Sequence, residues 1–299
     1  MLTYRIVDPA SLGGGVLHPQ MAADLKQAQD NPQPKLWQVP IDQVRAQARL
    51  EAAVMNRADV TTKRAVTRDM ALTTPAAALP ARLYSPPGAA PHPLWLFFHG
   101  GGFVLGSFDD YAMPYHRICL QTPCAILSVD YRLAPEHRFP TAVEDCIAAY
   151  TWVLENASVL GIDPSRVAVG GDSAGGNLTA ALCLAARERG LPQPALQVLI
   201  YPTVDLSGTR WESYDLYSDY GLSIADMLWF RDQPTQLRER SEAISIHHLS
   251  RSPRRALPSS RSEPATSRAS ALPTSRAQRS DLHPPPFEVA SSDFALLAK

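Results

Sequence analysis

Apolar residues first recur at helical spacing and then close up into short runs. Met21, Leu25 and Ala28 share one face after His18-Pro19, and Val44, Ala48 and Ala52 do so after Pro40, which predicts two amphipathic helices. Ala81–Tyr84 reads as a strand, Ser85-Pro86-Pro87-Gly88 as a turn, and Leu94–Phe98 as the next strand. Strands and helices alternate from there. Cys124–Val129 is apolar except at Ser128, as in a buried parallel strand. Thr141–Leu154 has helical spacing, with Val143, Ile147 and Tyr150 on one side. Val167–Val169 is a short strand, Asn177–Arg189 a helix closed by Gly190 and Pro192, and Leu196–Tyr201 a further strand. This alternation predicts an α/β fold whose mostly parallel sheet is covered by helices on both faces.

The pattern stops near Gln233. Pro234 to Lys299 is dominated by Ser, Arg and Pro and contains no glycine, tryptophan or tyrosine, although a sheet would still need turns there. By composition it is a disordered tail. The change follows Met227-Leu228-Trp229-Phe230-Arg231-Asp232-Gln233 so abruptly that a frameshift after Gln233 is the other reading.

Composition narrows the function. The 299 residues are 45% hydrophobic, enough for a sizeable core, and the formal charge of −1 predicts no attraction to nucleic acid or an anionic membrane. The tail's arginines are irregularly spaced and short of aromatics, so it offers no stacking platform for RNA. No apolar run reaches the roughly eighteen residues of a membrane span, and Met1–Val16 does not read as a secretory signal. Cys119, Cys124, Cys146 and Cys183 form no CxxC pair and read as buried free thiols in a cytoplasmic protein. No metal or organic cofactor is expected.

Two glycine-rich motifs carry candidate chemistry. Gly171-Asp172-Ser173-Ala174-Gly175 fits G-x-S-x-G, with a strand running in and a helix starting near Ala174 running out. That context is a nucleophile elbow, which lifts a serine hydroxyl above the sheet at a helix N-terminus. His99-Gly100-Gly101-Gly102-Phe103 follows the strand Leu94–Phe98. Its glycines let backbone N–H groups converge on a developing oxyanion, where losing one such donor costs about 2.7–4 kcal/mol.

With Asp130–Glu136 (DYRLAPE) between HGGGF and Gly171–Gly176 (GDSAGG), the chain resembles the hormone-sensitive-lipase-like esterases, the bacterial family IV carboxylesterases, over roughly residues 15 to 233. The resemblance implies an α/β-hydrolase fold, with an eight-stranded core under a helical cap. The cap would come from residues 1–70 and an insertion near 205–232 around Trp211–Arg231, the core from 71–233, and 234–299 would be the atypical tail. It implies Ser173 as nucleophile, the N–H groups of Gly101, Gly102 and Ala174 as oxyanion hole, and His99 as an orienting residue of the loop. Asp130, Arg132 and Glu136 would serve the structure around the site. The partner would be a small-molecule ester of short to medium acyl length, and there is room for a homodimer. Trp211, Tyr214, Tyr217, Tyr220 and Leu222 would line the pocket or simply pack the cap.

The family's acid lies in a D-P-L-x-D-like segment and its base in an H-G-F-like segment, and this sequence has neither. A serine hydroxyl needs a neighbouring base. His283 is the tail's candidate beside His247 and His248, with Asp281, Glu288 or Asp293 as orienting acids. Two functions stay open: a serine carboxylesterase, or an impaired relative that binds a small ligand without turnover. A core lacking its last strands would expose a sheet edge and favour aggregation.

Overall fold

A computed structural model describes residues 19–58, 63–206 and 221–234. Trp211, Tyr214, Tyr217, Tyr220, His247, His248, Asp281, His283, Glu288 and Asp293 lie outside the described residues.

Both helices expected near the start are present, α1 (Pro19–Asp30) and α2 (Ile41–Ala58), separated by a 3-10 turn at Leu36–Gln38. The chain continues through β1 (Val66–Thr73), β2 (Ala78–Ser85), β3 (His92–Phe98), α3 (Ala112–Gln121), β4 (Ala125–Val129), α4 (Thr141–Glu155) and α5 (Ala157–Leu160). It ends with β5 (Ile162–Asp172), α6 (Ala174–Arg189), β6 (Leu196–Ile200) and α7 (Ile224–Asp232). Strand β1 begins ahead of residue 71, where the resemblance set the start of the core.

Among the described residues the sheet has six strands in the order β1-β2-β4-β3-β5-β6. The pairs β1/β2 and β2/β4 are antiparallel, whereas β4/β3, β3/β5 and β5/β6 are parallel. The parallel part matches the expectation from sequence, and the antiparallel margin adds to it. Strand β3 sits between β4 and β5, so the strand order reverses beside it. Ligand sites of open α/β sheets form at such a switch point, outside the carboxyl ends of the strands. The register puts Phe98 level with both Val129 and Gly171.

Alternation along β3 shows how both faces are covered. Leu94, Leu96 and Phe98 join one core with Cys146, Ile147 and Tyr150 of α4 and Leu178, Ala181 and Leu182 of α6. Trp95 and Phe97 point the other way, and Phe97 meets Tyr115 of α3 at 5.1 Å between ring centroids. Burying each such side chain contributes about 1.5–3 kcal/mol.

Three elements exceed or escape the apolar-run reading. Strand β5 runs from Ile162 because polar Asp163 to Arg166 lie at its exposed end, where Arg166 Nε donates to Asp163 at 2.7 Å. Strand β1 is mostly exposed and fully buries only Leu72, so it shows no apolar run. Helix α3 contains Pro114 and mixes apolar with polar groups. The four cysteines are free, with Cys119 and Cys146 buried and Cys124 and Cys183 only partly so.

Candidate active site

Ser173 stands between the end of β5 and the first residue of α6, with φ 51° and ψ −115°. Such a conformation is costly for a residue with a side chain, and strain of this kind clusters at functional sites. Backbone bonds hold it on three sides. Its N–H donates to Ile200 O at 2.9 Å, and its carbonyl accepts from Asn177 N at 3.1 Å and Thr203 N at 3.2 Å. Its side chain makes no capping bond to α6, so the hydroxyl is not consumed by the helix it starts. Helix α6 begins at Ala174, directly after the serine, rather than at Asn177.

The elbow is pressed against β3. A Cβ on Gly175 would run into the carbonyl group of Phe98, so only glycine permits this approach. The close contact brings the loop after β3 alongside Ser173. In that loop Gly101 and Gly102 have φ of +110° and +60°. Among the described residues, none accepts a backbone hydrogen bond from the N–H of Gly101, Gly102 or Ala174. Three donors at one carboxyl edge of the sheet are therefore available to an anion, with the positive end of the α6 dipole beside them.

Asp172 joins the two loops. Its buried carboxylate accepts from Gly100 N at 2.8 Å and from Tyr111 Oη at 2.9 Å. Burial raises its pKa to about 6, and the bonds from Tyr111 and Gly100 partly offset that rise. Burial also raises Tyr111 well above the ordinary phenol value, with the Asp172 charge adding to it, so the phenol stays protonated and keeps donating.

His99 is fully buried and stacks on Tyr131 at 4.4 Å. Its Nδ1 lies 2.7 Å from Gly100 O, which can only accept, so Nδ1 carries the proton. Its Nε2 is buried without a partner among the described residues. Burial lowers the His99 pKa to about 4 against the raising effect of Gly100, leaving a neutral ring at neutral pH. Tyr131 Oη adds a bond to the His99 carbonyl at 2.7 Å. His99 is thus committed to the shape of the loop.

The DYRLAPE segment braces the same region. Asp130 accepts from Phe108 N at 2.6 Å, and Arg132 forms an ion pair with buried Asp145 at 2.6 Å. Glu136 pairs with Arg45 of α2 at 2.8 Å, and Arg45 also donates to Val104 O at 2.9 Å and Ala134 O at 2.7 Å. Arg45, Tyr111 and Phe230 are contributors that sequence reasoning missed. Phe230 of α7 fills the place where a Cβ on Gly102 would sit, closing over the loop. No motif marks them, because each comes singly from a distant segment. Leu222 is 54% exposed.

Comparison with known proteins identifies the family and the fold. Residues 95–265 match a family described as the α/β hydrolase fold. The chain is similar to the carboxylic ester hydrolase LipN of Mycobacterium tuberculosis, at 44% identity over 55% of this chain and 45% of that protein. It is 41% identical to an ethyl acetate hydrolase of Pseudomonas putida, over 55% of this chain and 54% of the other. The chain thus spans about half the length of the curated relatives it matches. Among solved structures, a hyperthermophilic esterase of Pyrobaculum calidifontis superposes with a TM-score of 0.70 at 33% identity, covering 77% of this chain and 73% of that one.

Proposed function

Because the chain belongs to the α/β-hydrolase fold family, in its hormone-sensitive-lipase-like group, we propose that it is a serine carboxylesterase for short- to medium-chain acyl esters. The observation that carries the reading is Ser173, held at φ 51° beside three backbone donors that no described residue claims. In this reading Ser173 Oγ attacks the ester carbonyl carbon while a base takes its proton. The carbonyl oxygen becomes an oxyanion that accepts from Gly101, Gly102 and Ala174. Collapse expels the alcohol, which takes the proton back, and leaves an acyl group on Ser173. Water, deprotonated by the same base, then attacks the acyl carbon, and the acid leaves as Ser173 Oγ takes the proton back.

The base must come from elsewhere than His99, which is bound to Gly100 O, and His116, whose Nδ1 accepts from Ala65 N at 3.1 Å. His247, His248 and His283 are the candidates, with Asp281, Glu288 or Asp293 to orient them. Hydrolysis of p-nitrophenyl butyrate by the full chain, beside Ser173→Ala, tests the reading. Turnover should fall by on the order of 10³-fold or more in the variant, and His→Gln changes at the three candidates should then single out the base. If the folded chain is no faster than Ser173→Ala, the protein is a binding relative instead.

A further inference from the structure

Helix α3 is capped from outside its own sequence. Tyr111 occupies the N-cap position, but its side chain makes no capping bond. A tyrosine oxygen sits too far out to serve the first free N–H groups, a place that Ser, Thr, Asp or Asn ordinarily fills. Helix α2 supplies the missing cap. Asn56 Oδ1 accepts from Met113 N at 3.1 Å, the bond that an N-cap side chain would have taken. Asn56 Nδ2 donates to Asp109 O at 2.8 Å and to Asp110 O at 3.4 Å. One amide side chain thus grips the backbone on both sides of Tyr111.

With the cap made elsewhere, the Tyr111 side chain turns toward the elbow. Its ring stacks with Tyr115 at 5.8 Å and with His99 at 6.4 Å between centroids. Its hydroxyl donates to Asp172 Oδ2 at 2.9 Å, and Asp172 Oδ1 accepts from Gly100 N at 2.8 Å. Gly100 directly precedes Gly101 and Gly102. A continuous series of contacts therefore leads from α2 to the glycine loop.

We infer that Asn56 is a positioning residue for the oxyanion loop, a role that rests on the ester-hydrolase reading above. Asn56 sets Tyr111, Tyr111 sets the Asp172 carboxylate, and the carboxylate sets Gly100 and the two donors that follow it. Such donors act only while they keep their aim at the developing charge. A displacement of about 1 Å, caused far from the chemistry, can cost on the order of 10²-fold in rate.

The test reads Gly100 directly. His99-Gly100 is the one His-Gly pair in the sequence. The full chain labelled with 13C at histidine carbonyls and 15N at glycine therefore gives a single Gly100 amide signal in a carbonyl-filtered NMR spectrum. At about pH 8 Asp172, with its pKa near 6, is ionised and bonds that amide strongly. Asp172→Asn should move the signal upfield, and Tyr111→Phe should displace it from the wild-type position. Asn56→Ala should move it toward the Tyr111→Phe position, although the bonds of Asn56 go to Asp109, Asp110 and Met113. The same variant should lower kcat on p-nitrophenyl butyrate roughly tenfold with little change in KM. If Asn56→Ala does not fold, Asn56→Asp takes its place, since it keeps the acceptor for Met113 and loses the donors to the two carbonyls. A Gly100 signal that either Tyr111→Phe or the Asn56 variant leaves in place overturns the inference, as does a moved signal with unchanged kcat. If the wild-type chain turns over no ester, the hydrolysis reading fails, and the Gly100 signal alone decides whether Asn56 holds the loop.

Discussion

Strands β5 and β6 run parallel and in register, yet they live in different surroundings. Val167, Val169, Gly170, Gly171 and Asp172 of β5 are all buried. Their neighbours in β6 leave Leu196 59% and Leu199 38% exposed, and only Ile200 is buried. The difference lies in neighbours rather than composition, since LQVLI is as apolar as most of β3. Strand β5 has β3 on one side and β6 on the other. Strand β6 has a partner strand on one side only among the described residues. Ser173 therefore leans on both kinds of strand: it follows the buried end of β5, while its N–H bonds to Ile200 in β6.

The largest expected effect is on the buried side. Gly175→Ala drives a methyl group into the Phe98 carbonyl and should cost more than about 4 kcal/mol, seen as loss of the cooperative urea transition. A soluble Gly175→Ala protein of near-wild-type stability would show that β3 and the elbow are not pressed together.

A paired truncation sharpens the contrast directly. Leu96→Ala, at a fully buried position of β3, should cost about 2–5 kcal/mol, whereas Leu199→Ala in β6 should stay within about 0.5 kcal/mol. Equal costs in urea titrations would mean that β6 is covered in solution, and the difference between the strands would disappear.

The smallest effect concerns pH. His99 has a folded pKa near 4, below its ordinary 6.5, so its contribution to stability is present above about 6.5 and is lost as pH falls toward 4. Asp172 has the opposite sign. Its folded pKa near 6 is above its ordinary 3.8, so its contribution is present below about 3.8 and is lost as pH rises through 6. Between about 4 and 6 the two oppose each other. Asp172→Asn should remove one arm, so that its Tm falls more steeply than the wild type's as pH drops through that window. Parallel Tm curves would mean that the two groups do not titrate as their burial implies.

The sequence was most readable where one physical rule acts alone. Leu94–Phe98 is apolar throughout, and the strand ending at Val129 apolar except at Ser128, because both their faces are covered. The elbow was readable because its glycines answer a steric demand that nothing else meets. Strand β1 was hidden because a marginal antiparallel strand needs little burial, and α3 because its apolar positions are interrupted by Pro114. In the site, Ser173 and the glycine loop carried their own signature. Tyr111 and Arg45 did not, since a single polar residue on a distant helix looks the same whether it meets solvent or a loop. Asp172 stood in plain view within the motif, but only the fold reveals the bond it makes to Gly100.

Arg45 reaches across 59 residues of sequence to Val104 and 89 to Ala134, gripping both segments that flank Phe103. The glycine loop is therefore not a portable module. Transplanted to another scaffold without helix α2, the same five residues would keep their freedom to bend but lose the external hold that selects one bend. An engineer moving this motif would have to carry the helix with it, or supply a new cation to grip the same two carbonyls.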